Sequence, residues 1–373
     1  MNLTRVVHVL SSIEYSGAEI MLYQASDIFK ENQIHTTLLA GAEKIGRFEG
    51  PMLEKGYVID HIRTEARIQV LIKFFQYFNK NKFDVVIMHV DDLYLWRIII
   101  LRLTGHNNIV RTYHSCWGFT GWLRFKRAIH RRLAVWLGVK NHAIGLAVQE
   151  NEKRVFNNDC VIITNWIKLN DGIFKTKDNI RSLKRAELGI EPGAFVIISV
   201  GGCAALKNHP FIINLIGMLN DEGLKVTYLH VGAGDEEESE KALAKKIDVY
   251  SQIIFAGTRK DVPELLLSAD VYLMPSEYEG LSIALLEAMY YNGLVIVNDP
   301  PALKKMIVQN ETGFVINVEK KLDYIDLLKK IQNNSIDVLR IKSAAKKFVE
   351  ENFNLEKNAR ALIEFYKEGT KPE

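Results

Sequence analysis

The chain has 373 residues, 48% of them hydrophobic and 25% charged, with a formal net charge of +3. That length exceeds a typical single core and predicts two domains, and the composition is ordinary for a soluble globular protein. Cys116, Cys160 and Cys203 are odd in number and far apart. They exclude a disulfide framework, show no metal-ligand spacing and point to a reduced cytoplasm.

The first apolar run, Arg5 to Leu10, stops at Ser11 and Ser12, too soon for a signal peptide. It reads instead as a buried strand, and the turn Ser11 to Gly17 leads into a helix from about Ala18 to Lys30. Strand, tight turn and helix in that order mark the place where doubly wound folds hold phosphate. Gly17 lies in this turn, and its plain reading is a tight turn that needs glycine for its own geometry. Further strands are expected at His35 to Ala40, Asp84 to His89, Ile109 to Tyr113, Ala143 to Val148 and Val161 to Thr164. Helical segments between them predict a parallel sheet covered on both faces. His114 falls just past a strand end, where open α/β sheets place ligand contacts.

Charge is unevenly spread. From Leu93 to Gln149 there is no Asp or Glu, against nine Lys and Arg. The apolar stretch Leu93 to Leu103 is broken by Arg97 and Arg102 and falls short of the roughly 20 residues that a membrane span needs. Trp117, Phe119 and Trp122 then precede Phe125, Ile129, Leu133 and Trp136 at helical steps, while Arg124, Arg127 and Arg131 form a second stripe. The pattern is a basic amphipathic helix. Two readings stay open. The aromatic stripe packs on the sheet while the arginines face water, or the aromatic end enters an anionic membrane interface while the arginines bind headgroups or a lipid diphosphate. Nucleic acid is not an expected partner, since no nucleic-acid module surrounds the patch.

The polar segment 169–192, with the turn signal Asn170-Asp171-Gly172, is the expected linker. A second α/β unit begins at Ala194 to Val200 and continues through Lys225 to Val231, Gln252 to Phe255, Asp270 to Met274 and Leu294 to Asn298. Asp261 and Glu264 form a capping-box pattern for a helix over Val262 to Ser268. At the centre of the unit stands Met274 to Met289, MPSEYEGLSIALLEAM, a loop turning into a helix at Leu281. Glu279 precedes the helix and Glu287 lies within it, roughly 10 Å further along the axis at ~1.5 Å per residue. Between them, the backbone N–H groups of Gly280, Leu281 and Ser282 begin the helix and face an anion. An acidic cap with a solvated glutamate is the plain reading of the same residues.

This stretch, as PSxxEGLSxxLLEAM, resembles the motif of the large family 4 of retaining glycosyltransferases, whose fold is GT-B. The resemblance extends to Ser16-Gly17-Ala18-Glu19, to Val200 through His209 against a family loop VGRxxxxKNH, to Phe255 through Arg259 and to Glu311 through Val315. It implies an α/β protein with two Rossmann-like domains facing across a cleft. Residues 1–168 would bind the acceptor, 193–352 the nucleotide sugar, and 353–373 would form a helix crossing back to the first domain. By the same resemblance Glu279 stands beside the donor sugar, Glu287 grips the ribose, Lys207 and Gly17 meet the diphosphate, and His114 meets the acceptor or the donor sugar. Gly202 occupies the family's arginine position in the phosphate loop, and Arg259 is the candidate substitute.

The expected function is retaining hexosyl transfer from a nucleotide diphosphate sugar, UDP- or GDP-linked, to a glycan or lipid diphosphate acceptor. The expected setting is bacterial surface polysaccharide biosynthesis, with the protein peripheral on the inner face of the cytoplasmic membrane. No cofactor and no bound metal are expected, because a helix terminus and basic side chains build the phosphate seat and no acidic ligand cluster is visible. One alternative is a catalytically weak or inactive partner subunit at the membrane, which Gly202 favours. A GT-B nucleotide-sugar epimerase is the weaker alternative.

Overall fold

The computed structural model describes residues 4–63, 66–116 and 118–368. The chain divides into two units, Met1–Lys168 with Asn354–Glu373, and Leu169–Phe353.

The first unit contains β1 (Thr4–Leu10), β2 (Ile34–Ala40), β3 (Val58–His61), β4 (Val85–Met88), β5 (Ile109–Tyr113), β6 (Lys140–Ala143) and β7 (Val161–Ile162). These seven strands pair in parallel in the order 3-2-1-4-5-6-7. Helices cover both faces, so the central strands are near-continuous apolar runs; Val6, Val7, Val85, Val86 and Ile87 are fully buried. Strand order reverses between β1 and β4, which opens a crevice at their C-terminal ends. Under one face, Met21, Leu22 and Phe29 of the helix Gly17–Glu31 pack with Trp166 and with Leu362, Ile363 and Tyr366 of the closing helix Leu355–Lys367. Hydrogen bonds fix the arrangement: Trp166 Nε1 donates to the Met21 carbonyl at 3.1 Å, and the Asn108 amide to that of Tyr366 at 2.7 Å.

Two elements differ from expectation. The short, half-polar β3 carries too little apolar pattern to be seen in sequence. The expected strand Ala143 to Val148 is in fact the end of β6 followed by a helix, Leu146–Phe156, with Gly145 as an extended N-cap. The apolar run straddles two elements.

The second unit contains β8 (Val196–Val200), β9 (Thr227–Val231), β10 (Ile253–Gly257), β11 (Val271–Met274), β12 (Val295–Val297) and β13 (Phe314–Val315), parallel in the order 10-9-8-11-12-13. This repeats the order of the first six strands of the other sheet, with its crevice between β8 and β11. The segment expected as a linker is largely folded, as a 3-10 turn Asp171–Thr176 and a helix Lys177–Glu187. Arg181 and Arg185, one helical turn apart, pair with Asp270 at 2.5 and 2.9 Å and thereby anchor it to the second unit. The helix Val262–Ser268 forms as expected, but Asp261 does not cap it. Its carboxylate is taken by Arg259 and Lys184, each at 2.6 Å. Among the described residues, no helix is long and apolar enough to cross a membrane.

Candidate functional site

Two loops meet at the crevice of the second sheet. The first leaves β8 and makes a 3-10 turn, Ala205–Lys207. Asn208 follows in the left-handed region (φ 54°), which asparagine tolerates, and turns the chain into the helix His209–Asp221 with Pro210 in its first turn. The second leaves β11 and ends at Ser282, whose hydroxyl caps the helix Ile283–Tyr291 by accepting from Leu285 N at 3.3 Å. Glu277 N donates to the Leu206 carbonyl at 2.9 Å and ties the loops together. Lys207 Nζ donates to Glu279 Oε1 at 2.6 Å across the same gap.

The helix thus starts two residues later than its sequence pattern predicts. Gly280, Leu281 and Ser282 form its approach, and their N–H groups have no acceptor among the described residues. Such donors, at the positive end of a helix dipole, bind anions. Glu287, one turn inside, has no ion-pair or hydrogen-bond partner among the described residues, and burial alone pushes its pKa up to about 7. The buried Tyr272 of β11 senses both carboxylates: burial first, then Glu279 and Glu287, drive its phenol well above the usual range. The structure therefore brings Lys207, Glu279, Glu287 and the helix terminus into one neighbourhood.

Arg259 is different. Its guanidinium is held by Asp261 at 2.6 and 2.7 Å and by Glu187 at 2.7 Å, so it is not a free substitute for the arginine missing at Gly202. The loop at Gly202 packs directly on the loop after β9. A Cβ on Gly232 (φ 145°) would lie 1.8 Å from the Gly201 carbonyl oxygen, and one on Gly234 would lie 2.4 Å from that of Cys203. Gly202 itself is less crowded, a Cβ there lying 3.4 Å from the Ala233 carbonyl oxygen.

In the first unit, Gly17 begins the helix Gly17–Glu31 after an extended Ser16, whose hydroxyl bonds the buried Glu19. His114 stands at the end of a chain of histidines on three adjacent strands, a feature the sequence did not reveal. His8 Nδ1 lies 2.9 Å from His89 Nε2, and His89 Nδ1 lies 2.7 Å from His114 Nε2, with the rings stacked. Burial, then repulsion from neighbouring histidines, His142 among them, and from Arg111, pulls all three below the usual imidazole range, His8 and His114 to about 3. They are neutral near pH 7. Beside them a pocket of about 390 Å³ is lined by Ser11, Gly41, His89, Asp91, Asp92 and Arg97. Arg97 is 7% exposed and its Nε has no partner, a buried cation that the sequence shows only as a break in an apolar run.

The basic amphipathic helix forms as Gly121–Trp136, but inside out relative to the reading in which its aromatic stripe packs on the sheet. Only Arg131 and Ala134 are buried, while Trp122 is 74% and Trp136 82% exposed, with Phe125, Ile129 and Leu133 also outward. Arg131 turns inward, Arg127 is half-buried, and Arg124 stays exposed. Arg131 makes a bidentate pair with Glu152 at 2.6 and 2.8 Å and lies over Phe156, Arg127 covers Phe119 and reaches Asp91 at 3.4 Å, and Arg124 donates to the Val155 carbonyl at 3.0 Å. A guanidinium that finds a buried carboxylate and a ring face gains more inside than a tryptophan does. The expected role of Arg131 in headgroup binding is therefore corrected. Trp117 lies outside the described residues.

Residues 180–348 match the family model described as Glycosyl transferases group 1. An uncharacterized glycosyltransferase of Haemophilus influenzae is 34% identical over 141 residues, 35% of this chain, and the match spans only 38% of that relative's length. The UDP-Gal:alpha-D-GlcNAc-diphosphoundecaprenol alpha-1,3-galactosyltransferase of Escherichia coli is 23% identical over 97% of this chain and 96% of its own. Among solved structures, HepE of Anabaena in complex with UDP-glucose superposes with a TM-score of 0.79 at 16% identity, covering 98% of this chain and 99% of that one. That likeness shows the fold, which is GT-B, two Rossmann-like domains.

Proposed function

We propose that this chain is a retaining glycosyltransferase that moves a sugar from a UDP- or GDP-sugar to a lipid diphosphate or glycan acceptor. One observation carries the reading: unpaired N–H groups at the start of the helix Ile283–Tyr291 stand beside Lys207, Glu279 and an unpartnered Glu287. The group 1 match over this unit, the E. coli relative's UDP-Gal and lipid diphosphate, and the UDP-glucose bound to HepE support it.

In this reading Glu287 accepts hydrogen bonds from the ribose hydroxyls, and Lys207 with the helix terminus binds the diphosphate. The bond between the anomeric carbon and the diphosphate oxygen breaks, and its electron pair stays with the diphosphate, where Lys207 and the N–H groups stabilise the growing charge. The acceptor oxygen bonds the anomeric carbon from the same face, and its proton passes to the leaving diphosphate. Glu279 stabilises positive charge at the carbon. None of these steps uses a metal. The first unit's pocket supplies the acceptor site, with Arg97 for an anionic group and neutral His89, backed by His114, for hydroxyls.

The outward aromatic face of Gly121–Trp136 favours a peripheral membrane position. The position follows from apolar contact rather than from Arg131, which faces inward.

A screen of UDP- and GDP-sugars, following nucleotide release with and without a lipid diphosphate acceptor, tests the proposal. Release with one donor, abolished in Glu279→Ala, is the expected result. A folded protein that releases nucleotide from no donor is instead the inactive partner subunit, with Gly202 as the reason.

A further inference from the structure

A second cluster of side chains lies behind the phosphate loop and takes no part in the proposed reaction. Cys203 Sγ, His209 Nδ1, His230 Nε2 and the Glu240 carboxylate all lie within 4.8 Å of one another, and all four residues are buried. They come from three places. Cys203 and His209 bracket the turn that carries Lys207, His230 is on β9, and Glu240 is on the helix Glu237–Lys246. Backbone bonds fix their approach: Cys203 N donates to the Ala233 carbonyl at 3.2 Å and Glu236 N to that of Cys203 at 3.1 Å.

Hydrogen bonding alone does not account for this cluster. His209 Nδ1 lies 3.0 Å from Glu240 Oε1, His230 Nε2 lies 2.9 Å from Glu240 Oε2, and the two ring nitrogens are 3.0 Å apart. With Glu240 ionised, no placement of ring protons serves all three contacts. Two N–H groups oppose each other, or else a bare nitrogen faces a carboxylate oxygen. Consistently, Glu240 Oε2 is buried without a hydrogen-bond partner. Cys203 Sγ, 3.8 Å from His230 Nε2, adds a fourth soft ligand atom on the same centre.

One cation would satisfy all four atoms. Ligands at about 2.0–2.3 Å from a tetrahedral zinc stand roughly 3.3–3.6 Å from each other; the contacts among His209, His230 and Glu240 (2.9 to 3.0 Å) and from Cys203 to His230 (3.8 Å) lie on either side of that range, and the whole set stays within 4.8 Å, so a bound ion needs only small side-chain shifts. A thiolate and a carboxylate neutralise a dication, so the buried site carries no net charge. Sulfur, nitrogen and oxygen together suit zinc rather than magnesium or calcium.

We propose that Cys203, His209, His230 and Glu240 bind a single zinc ion. Four protein ligands close the coordination sphere, which makes the site structural. The ion ties the loop after β8 to β9 and to the helix Glu237–Lys246, and because two of its ligands flank Lys207 it fixes the turn that presents that lysine. This proposal departs from the sequence-based expectation of no bound metal.

The test reads metal content and spectra, independently of any donor or acceptor. Wild-type protein incubated with zinc and dialysed exhaustively should retain about one zinc per chain by elemental analysis. Cobalt loaded in its place should show tetrahedral d–d bands with a thiolate-to-cobalt charge-transfer band. Cys203→Ala should lose the charge-transfer band, and His230→Gln should release the metal. The wild-type measurements stand even where a variant does not fold. Less than stoichiometric zinc in folded wild-type protein, or bound cobalt without a thiolate band, overturns the proposal.

Discussion

In the first unit, charge is folded inward: Arg131 pairs with Glu152 in the interior, and His8, His89 and His114 are held neutral by burial. In the second unit, built on the same strand order, Lys207 and Glu279 face each other across a crevice and Glu287 is left without a partner. Topology supplies the same place in both sheets, the end of the strands where the order reverses. The side chains decide what that place offers: neutral histidines beside a buried arginine in one sheet, a lysine and two carboxylates in the other. A carboxylate left unpaired in a half-buried position costs stability, and a ribose that donates to it offsets the cost.

The largest expected effects dissociate the two units. Arg131→Ala leaves Glu152 buried and uncompensated, which costs about 3–5 kcal/mol. Urea unfolding should show this loss while nucleotide affinity stays unchanged, and a parallel fall in affinity would break the distinction. Lys207→Ala should do the reverse. Transfer kcat/KM should fall on the order of 10²–10³-fold, as for loss of one preorganised donor to a developing anion, while the melting temperature stays nearly constant.

How far these contrasts were legible in the sequence depended on whether their residues were close in the chain. Glu279, the helix terminus and Glu287 lie in one short stretch, and Lys207 sits in a loop with its own pattern, so the donor side could be read directly. Helical spacing exposed two stripes on Gly121–Trp136 but not which one is buried, because Glu152 comes from another helix. Strand-end histidines could be placed singly, but the chain His8–His89–His114 needs β1, β4 and β5 to be neighbours. Cys203 looked solitary for the same reason, since β9 and the helix after it bring His230 and Glu240 from downstream.

The pH dependence of stability sharpens the comparison because the histidine chain and Glu287 titrate with opposite sign. The histidines have folded pKa values below the unfolded ~6.5, so the unfolded chain binds more protons and stability is lost as pH falls below that value. Glu287 has a folded pKa of about 7, above its unfolded value, so the native chain binds the extra proton and stability is lost as pH rises toward 7. Melting temperature should therefore drop from pH 6.5 to pH 4. Glu287→Gln should melt higher than wild type at pH 8 and match it at pH 5; a gain equal at both would remove the carboxylate from this account.

The smallest effect concerns the aromatic face. Trp122→Ser with Trp136→Ser should weaken sedimentation with anionic vesicles several-fold and leave transfer to a soluble acceptor unchanged. Binding should depend less on salt than on the two tryptophans, since Arg131 and Arg127 are engaged in ion pairs within the protein. Steep salt dependence would return the arginines to the membrane.

The most direct test of the central claim, that Glu287 and its neighbours grip a nucleoside diphosphate, is calorimetric titration of UDP and GDP into wild type and Glu287→Gln at pH 6 and pH 8. For the nucleotide that binds, the account predicts about tenfold tighter wild-type binding at pH 8, as a carboxylate of pKa about 7 ionises to accept the ribose hydroxyls. The variant should keep only the shallow dependence of the nucleotide's own terminal phosphate. Equal affinities with the same pH dependence in both proteins would contradict it.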